Sequence, residues 1–300
     1  MKPVLVISII LGCGAQAFAG GTTAAFLRLG SGARLSGLGD AGAALAENAD
    51  AVSYNPAGLA LARGAAMGLT RAELVDGVSY SFLGYSRPLK AGALGLGVGY
   101  LGQASMEGRG PNREVTGSFG ASDAVVNLAY GRAVGPRAGL GLNFKYITSH
   151  IADERAAGWA VDAGWRCATR VNGLSLGLAV QNLGPKLKYI DEADALPLTA
   201  RAGVGLRLMD NVLLALDVDR RVNEKRTVVS LGSEFAAFNS LYLRAGYMRD
   251  ASSGVGRADG GYGFKTGFGL KARGFNLDYA VTPFGDIGKS HRVTLGMAFK

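Results

Sequence analysis

The sequence predicts an all-β fold, a 14-stranded antiparallel transmembrane β-barrel with a short N-terminal plug. Three observations carry this expectation. Val293, Leu295, Met297 and Phe299 alternate with Arg292, Thr294, Gly296 and Ala298, and the same two-residue period recurs in segment after segment back to about Val78. One face of each segment is apolar and the other is Gly, small or charged, as in a strand with lipid outside and a lumen inside. Glycine fills 47 of 300 positions, about twice the ordinary usage of ~7%. After the first 20 residues no uninterrupted apolar run approaches the roughly 20 residues that a spanning helix needs.

The chain opens with an export address, and three regions follow from it: a signal peptide at 1–19, a plug or hatch segment at 20–63 and the barrel at 64–300. Lys2 gives a positive start, Val4 to Leu11 an apolar stretch, and Ala17-Phe18-Ala19 an A-x-A cleavage site, so the mature chain is expected to begin at Gly20. A competing signal is Ile10-Leu11-Gly12-Cys13, which faintly resembles a lipoprotein cleavage box. Removing Lys2 leaves 31 Lys and Arg against 23 Asp and Glu, a formal +8. Cleavage after Ala19 also leaves Cys167 as the only thiol, which rules out an intrachain disulfide. It falls on the apolar side of its strand, as an inert buried thiol does.

Residues 20–63 break the strand pattern. Gly32 to Gly42 is small and flexible, Ala43 to Asn48 favours a short helix, and Ser53-Tyr54-Asn55-Pro56-Ala57-Gly58-Leu59 reads as a turn-rich cap. Pro56 presets its own backbone and biases Asn55 away from helix, so Asn55, Pro56 and Ala57 form the plug motif. A segment this short cannot build its own core and is expected in or against the periplasmic mouth of the barrel.

Strands follow at 64–72, 77–89, 92–102, 119–134, 137–149, 156–168, 173–183, 197–208, 211–220, 226–238, 240–250, 260–272, 273–282 and 289–299. Fourteen is an even number, as single-chain bacterial barrels require. Tight turns at Lys90-Ala91, Gly135-Pro136, Val171-Asn172, Met209-Asp210-Asn211, Asn239 and Ala272-Arg273 follow the even-numbered strands; longer polar stretches at 103–118, 184–196, 221–225 and 251–259 follow odd-numbered ones. Short turns belong on the periplasmic side and long loops outside.

The inward face carries Lys145, Arg166, Arg201, Arg207, Arg244, Lys265, Lys271 and Arg292 against Asp162, Asp217, Asp219, Glu234 and Asp278, crowded by Gly95, Gly97, Gly99, Gly203, Gly205, Gly263, Gly267 and Gly269. Such a set pairs internally and implies a narrow, filled interior. Tyr80, Tyr100, Tyr130, Tyr146, Trp159, Trp165, Tyr247, Tyr262 and Tyr279 are assigned to apolar faces as interface girdles.

Other function classes find little in the chain. There is no basic run with interleaved aromatics for nucleic acid. Gly37-Leu38-Gly39-Asp40-Ala41-Gly42 satisfies G-x-G-x-x-G, yet no strand precedes it and no acid stands about 20 residues beyond. Ser149-His150 and Ser290-His291 are neighbours that point to opposite faces of a strand, so neither pair is a catalytic dyad in itself. Metal-ligand spacing is absent. The expectation is a non-enzyme with no cofactor.

Ala33-Arg34 through Gly42, Asn48-Ala49-Asp50-Ala51 and Tyr54-Asn55-Pro56-Ala57-Gly58-Leu59 resemble the N-terminal signature of the PorV/PorQ family, itself similar to FadL-type fatty-acid transporters that carry an Asn-Pro-Ala motif in their plug. Asn182-Leu183-Gly184-Pro185-Lys186-Leu187, Leu196-Pro197-Leu198, Leu243-Arg244-Ala245-Gly246-Tyr247 and Leu277 through Gly288, followed by His291-Arg292, extend the likeness over nearly the whole mature chain. Lys300 after Phe299 departs from barrels that end on the aromatic itself. The resemblance implies a Gram-negative outer-membrane barrel, inserted by the barrel assembly machinery into outer-membrane lipid. It implies either a shuttle handing cargo proteins from type IX-like secretion components to the surface, the first reading, or a FadL-like channel for hydrophobic solutes. A purely structural barrel stays open as a third.

Overall fold

The computed structural model describes residues 22–75, 77–103, 106–109, 115–189, 192–252, 262–283 and 288–299. The expected signal peptide, the Cys13 box, most of loop 251–259, Phe284 to Ile287 and Lys300 lie outside these.

Strands β1 (Ala65–Glu73), β2 (Val78–Leu89) and β3 (Gly92–Gln103) open the barrel and are followed by a loop hairpin, β4 (Met106–Arg109) and β5 (Val115–Phe119). Then come β6 (Ala121–Ala133), β7 (Ala138–Ile151), β8 (Glu154–Ala168) and β9 (Leu174–Leu183), a second small hairpin of β10 (Leu187–Lys188) and β11 (Ala193–Asp194), and β12 (Thr199–Leu208). The wall is completed by β13 (Val212–Arg221), β14 (Arg226–Phe238), β15 (Leu241–Asp250), β16 (Gly263–Ala272), β17 (Phe275–Pro283) and β18 (Lys289–Phe299). Leaving aside the two hairpins, the other strands form one closed barrel of 14 antiparallel strands in chain order. β1 pairs with β18 from Ala65↔Phe299 to Glu73↔His291. Closure leaves no unpaired strand edge, which a hydrocarbon surround could not satisfy.

The two-residue period decides which side meets lipid. In β18, Val293 and Leu295 are exposed on the outer face while Arg292 and Thr294 are buried inside, and Leu69, Leu96, Val98, Val126, Leu128 and Leu142 continue the exposed apolar band. Cys167 shares the outer face of β8 and is half-exposed, not buried within protein.

Tight turns occupy one rim. Met209 and Asp210 both adopt left-handed backbone (φ 46° and 52°), as do Arg273 and Gly274 (51° and 87°), the geometry whose twist matches a two-residue hairpin. At the opposite rim the connections vary. β7 and β8 extend beyond the expected strand ends and meet at Ala152 and Asp153, so loops there are not uniformly long. The 184–196 connection is also less polar in use than in composition, since Leu187 and Leu196 are buried over the lumen with Phe26, Tyr80, Phe82 and Ile147.

That cluster corrects part of the expected aromatic girdle. Tyr80 points inward, alternating with outward Ser79 and Ser81, because the bore on this side is filled with apolar groups and inward aromatics are favourable there. Tyr262 precedes β16 and receives a hydrogen bond from Arg221 at 2.9 Å.

Leu295 lies opposite Leu69 and Leu277 in the outer band. Leu295→Arg should cost about 2–4 kcal/mol of folding into lipid and Leu295→Met less than about 1.5 kcal/mol. Heat-modifiable electrophoretic mobility after refolding into vesicles reads the difference; equal yields would contradict the assigned face.

Candidate functional site in the lumen

Residues 22–63 run through the bore. The segment begins at the loop rim, where the Thr23 amide donates to the Ala195 carbonyl (3.1 Å) and Arg28 pairs with Glu224. Helix α1 (Ala33–Gly37) packs against β15 to β18, and helix α2 (Asn48–Tyr54) packs against β1, β2, β3 and β6. A 3₁₀ turn, Pro56–Leu61, lies on β6, β7 and β8 before the chain enters β1 at the turn rim. Residues 35 to 60 thus occupy the turn-side part of the bore rather than a cap beneath it.

Wall glycines make this passage possible. A Cβ on Gly232 or Gly246 would overlap the backbone of Leu38 and Gly39, and Gly39 itself is left-handed (φ +72°). On the other side, Gly141 and Gly164 face Pro56 and Asn55 so closely that any side chain there would collide with the motif.

Asn55 is fully buried. Its side-chain oxygen accepts from the Ala57 amide (3.1 Å), capping the 3₁₀ turn with Pro56 in its first position. Its amide donates to the carbonyls of Ala43 (2.7 Å), Trp165 (3.1 Å) and Leu178 (3.3 Å). One side chain therefore ties two parts of the lumen segment to β8 and β9. Pro56 and Ala57 are buried beside it.

Several lumen charges are held against the segment. Asp217 accepts from the Ala43 amide at 2.8 Å. Glu234 receives both arms of Arg34 (3.0 Å each) and also Arg244 (2.8 Å), which reaches Asp278 at 2.6 Å. Lys265 pairs with Asp40, and Arg292 donates to the Gly30 carbonyl at 2.6 Å. Arg201 pairs with Asp219 at 2.8 Å and lies 5.5 Å from the Tyr54 ring centre. Lys145 and Asp162 form a separate buried pair (2.8 Å) with Asn143 and Asn182, at the bulge where β9 gains a residue against β8.

Burial raises the Asp40 carboxyl pKa, but the Lys265 and Arg292 charges outweigh it and hold the group below its usual range. Asp50 moves the other way: burial pushes it up, and the Ser31 hydroxyl only partly opposes that. Asp40 is accordingly the ionised partner of Lys265.

Sequence reasoning overlooked the uncharged polar groups. Asn143 donates to the Val52 carbonyl (3.1 Å), Gln181 to Ser53 (2.6 Å) and Tyr54 (3.1 Å), and Thr294 accepts from the Ala33 amide (2.8 Å). Each stands at inward parity in an otherwise apolar or glycine-rich strand, a signal as readable as the charges. Arg207 and Lys271 hold the expected side but are exposed at the turn rim. Ser149 bonds to Asp123 and Tyr189, not to a histidine, while His291 bonds Tyr279 at 2.6 Å.

Above the segment, on the loop side, a cavity of about 650 Å³ remains. Phe26, Leu29, Leu74, Val78, Leu101 and Met248 line its apolar part. Arg28, Arg221, Lys265 and Arg292 contribute polar atoms, each already bonded to protein.

No protein-family model and no curated protein matches the chain. Among solved structures, the toluene transporter TodX of Pseudomonas putida is similar at a TM-score of 0.65 and 12% identity, covering 90% of this chain and 96% of that one. The toluene transporter TbuX of Ralstonia pickettii gives 0.63 and 13% (90% and 97%), and a FadL homologue of Pseudomonas aeruginosa 0.62 and 12% (94% and 99%). The architecture is that of FadL-type barrels; the PorV/PorQ resemblance has no counterpart in these comparisons.

Asn55→Ala removes every bond from that side chain and leaves a buried amide unpaired, at a cost of about 1–3 kcal/mol. Trypsin should then cut faster after Arg34 while the barrel keeps its heat-modifiable shift. Unchanged cleavage would show that Asn55 does not hold the segment.

Proposed function

We propose that the protein lies in an outer membrane and admits hydrophobic small molecules from the exterior into the loop-side cavity, with the lumen segment acting as a plug that denies water and ions an open bore. The carrying observation is the pairing of a loop-side cavity, in which an apolar patch sits among charged and polar residues, with a bore filled below it. Phe26, Leu29, Leu74, Val78, Leu101 and Met248 give an apolar solute a contact surface of the kind ligand cavities provide, while Arg28, Arg221, Lys265 and Arg292 beside them are already bonded to protein. The similar structures are described as a toluene transporter (TodX, TbuX) and a monoaromatic hydrocarbon channel (CymD), which supports a solute of this class. The secretion shuttle implied by the PorV/PorQ resemblance draws no support from the comparisons. Nor does the reading call for catalysis: the similar structures are transporters or channels.

Cells displaying the barrel should take up radiolabelled toluene faster than cells without it, and Phe26→Asp, which puts a charge on the apolar wall, should abolish most of the gain. Proteoliposomes carrying the full mature chain should show no glucose-driven swelling. Toluene uptake insensitive to the barrel, or brisk swelling, would overturn the reading.

A further inference from the structure

The turn rim is strongly basic. Arg63, Arg87, Lys90, Arg132, Lys271 and Arg273 are all exposed around it. The rim holds several concavities, and one of them gathers most of the arginines: a cavity of about 460 Å³ lined by Arg34, Arg137, Arg166, Arg170 and Arg207, with Glu47 its single lining carboxylate.

Three of these arginines are brought together by the turns that carry them. The Ala168 amide donates to the Arg137 carbonyl (2.8 Å) and the Arg207 amide to the Gly173 carbonyl (2.9 Å), so the β6–β7 turn, the β8–β9 turn and the end of β12 are laced side by side. Arg137, Arg170 and Arg207 are exposed and form no ion pair among the described residues. Arg166 forms the floor. Its side chain is more than nine-tenths buried and bonds Glu47 (2.9 Å) and the Ala46 carbonyl (3.1 Å), yet its Nε has no partner among the described residues. Arg34 is neutralised by Glu234.

We propose that this cavity binds a phosphate-bearing anion. Three exposed arginines with no ion-pair partner among the described residues line the cavity around a buried fourth, and the guanidinium fork matches phosphate oxygens two at a time. All four are arginine rather than lysine. The rim lies at the level of lipid headgroups on the side that short turns assign to the periplasm, and Val171 and Met209 stand exposed at adjoining turn tips. The anion is therefore either the headgroup of an anionic phospholipid in that leaflet or a soluble phosphate compound. Neither source depends on which solute crosses the barrel.

The test uses the full mature chain, with heat-modifiable mobility confirming that each variant is folded. Calorimetric titration with inorganic pyrophosphate in lipid-free detergent reads the soluble source. Native mass spectrometry after release from nanodiscs of phosphatidylcholine plus phosphatidylglycerol reads the headgroup. Binding in either arm is expected, and Arg137→Ala/Arg170→Ala/Arg207→Ala should weaken it by about tenfold or more, since charge-assisted bonds are the strong ones. Arg87→Ala/Lys90→Ala/Arg273→Ala removes as much charge from the β2–β3 and β16–β17 turns, away from the cavity, and should leave it nearly intact. Equal loss in both triple variants would mean only diffuse rim charge, and no binding of either probe would refute the site.

Discussion

Chain buried inside a barrel must have its backbone amides and carbonyls satisfied, and without a helix or ladder of useful length the barrel wall has to supply the partners. Unpaired buried groups cost as much as lost hydrogen bonds. Much of this molecule answers that constraint. Helices of five and seven residues satisfy little of their own backbone, so Asp217, Asn143, Gln181, Arg166, Arg292 and Thr294 reach in from the wall to the Ala43, Val52, Ser53, Ala46, Gly30 and Ala33 backbone. Where the segment must come closer than a side chain allows, the wall is glycine.

The strands were legible because their period is local. Apolar-out and small-or-charged-in repeats every second residue, and turn residues such as Met209-Asp210 and Arg273-Gly274 punctuate it. Facing failed at Tyr80 for a physical reason: on the loop side the bore is apolar, so an inward aromatic obeys the same hydrophobic rule that elsewhere points it to lipid. Leu187 and Leu196 escaped notice in the same way. The path of residues 22–63 was hardly legible at all, since the contacts that set it join residues such as Ala43 and Asp217, 174 positions apart, and have no periodicity. The importance of Asn55-Pro56-Ala57 could be read from turn chemistry, but not that Asn55 would reach the Trp165 and Leu178 carbonyls.

The proposed function rests on how the bore is divided. Its turn-side part is committed to holding the segment, and the charges there are occupied with one another or with the segment's backbone. What is left for a solute is the loop-side cavity, where apolar residues from the segment and the wall meet. The two rims differ as well. Acidic and basic residues mix on the loop side, whereas the turn side is almost wholly basic, which gives the barrel one face suited to anionic surroundings.

The central claim, that residues 33 to 60 are folded into the bore by wall side chains, is tested most directly by hydrogen–deuterium exchange on the mature chain in detergent or nanodiscs. Peptides covering that span should exchange as slowly as those of β7 and β8, because their amides are buried and bonded to the wall. Exchange as fast as in the loop ends around Ala152 and Asp153, with the strands still protected, would contradict the account.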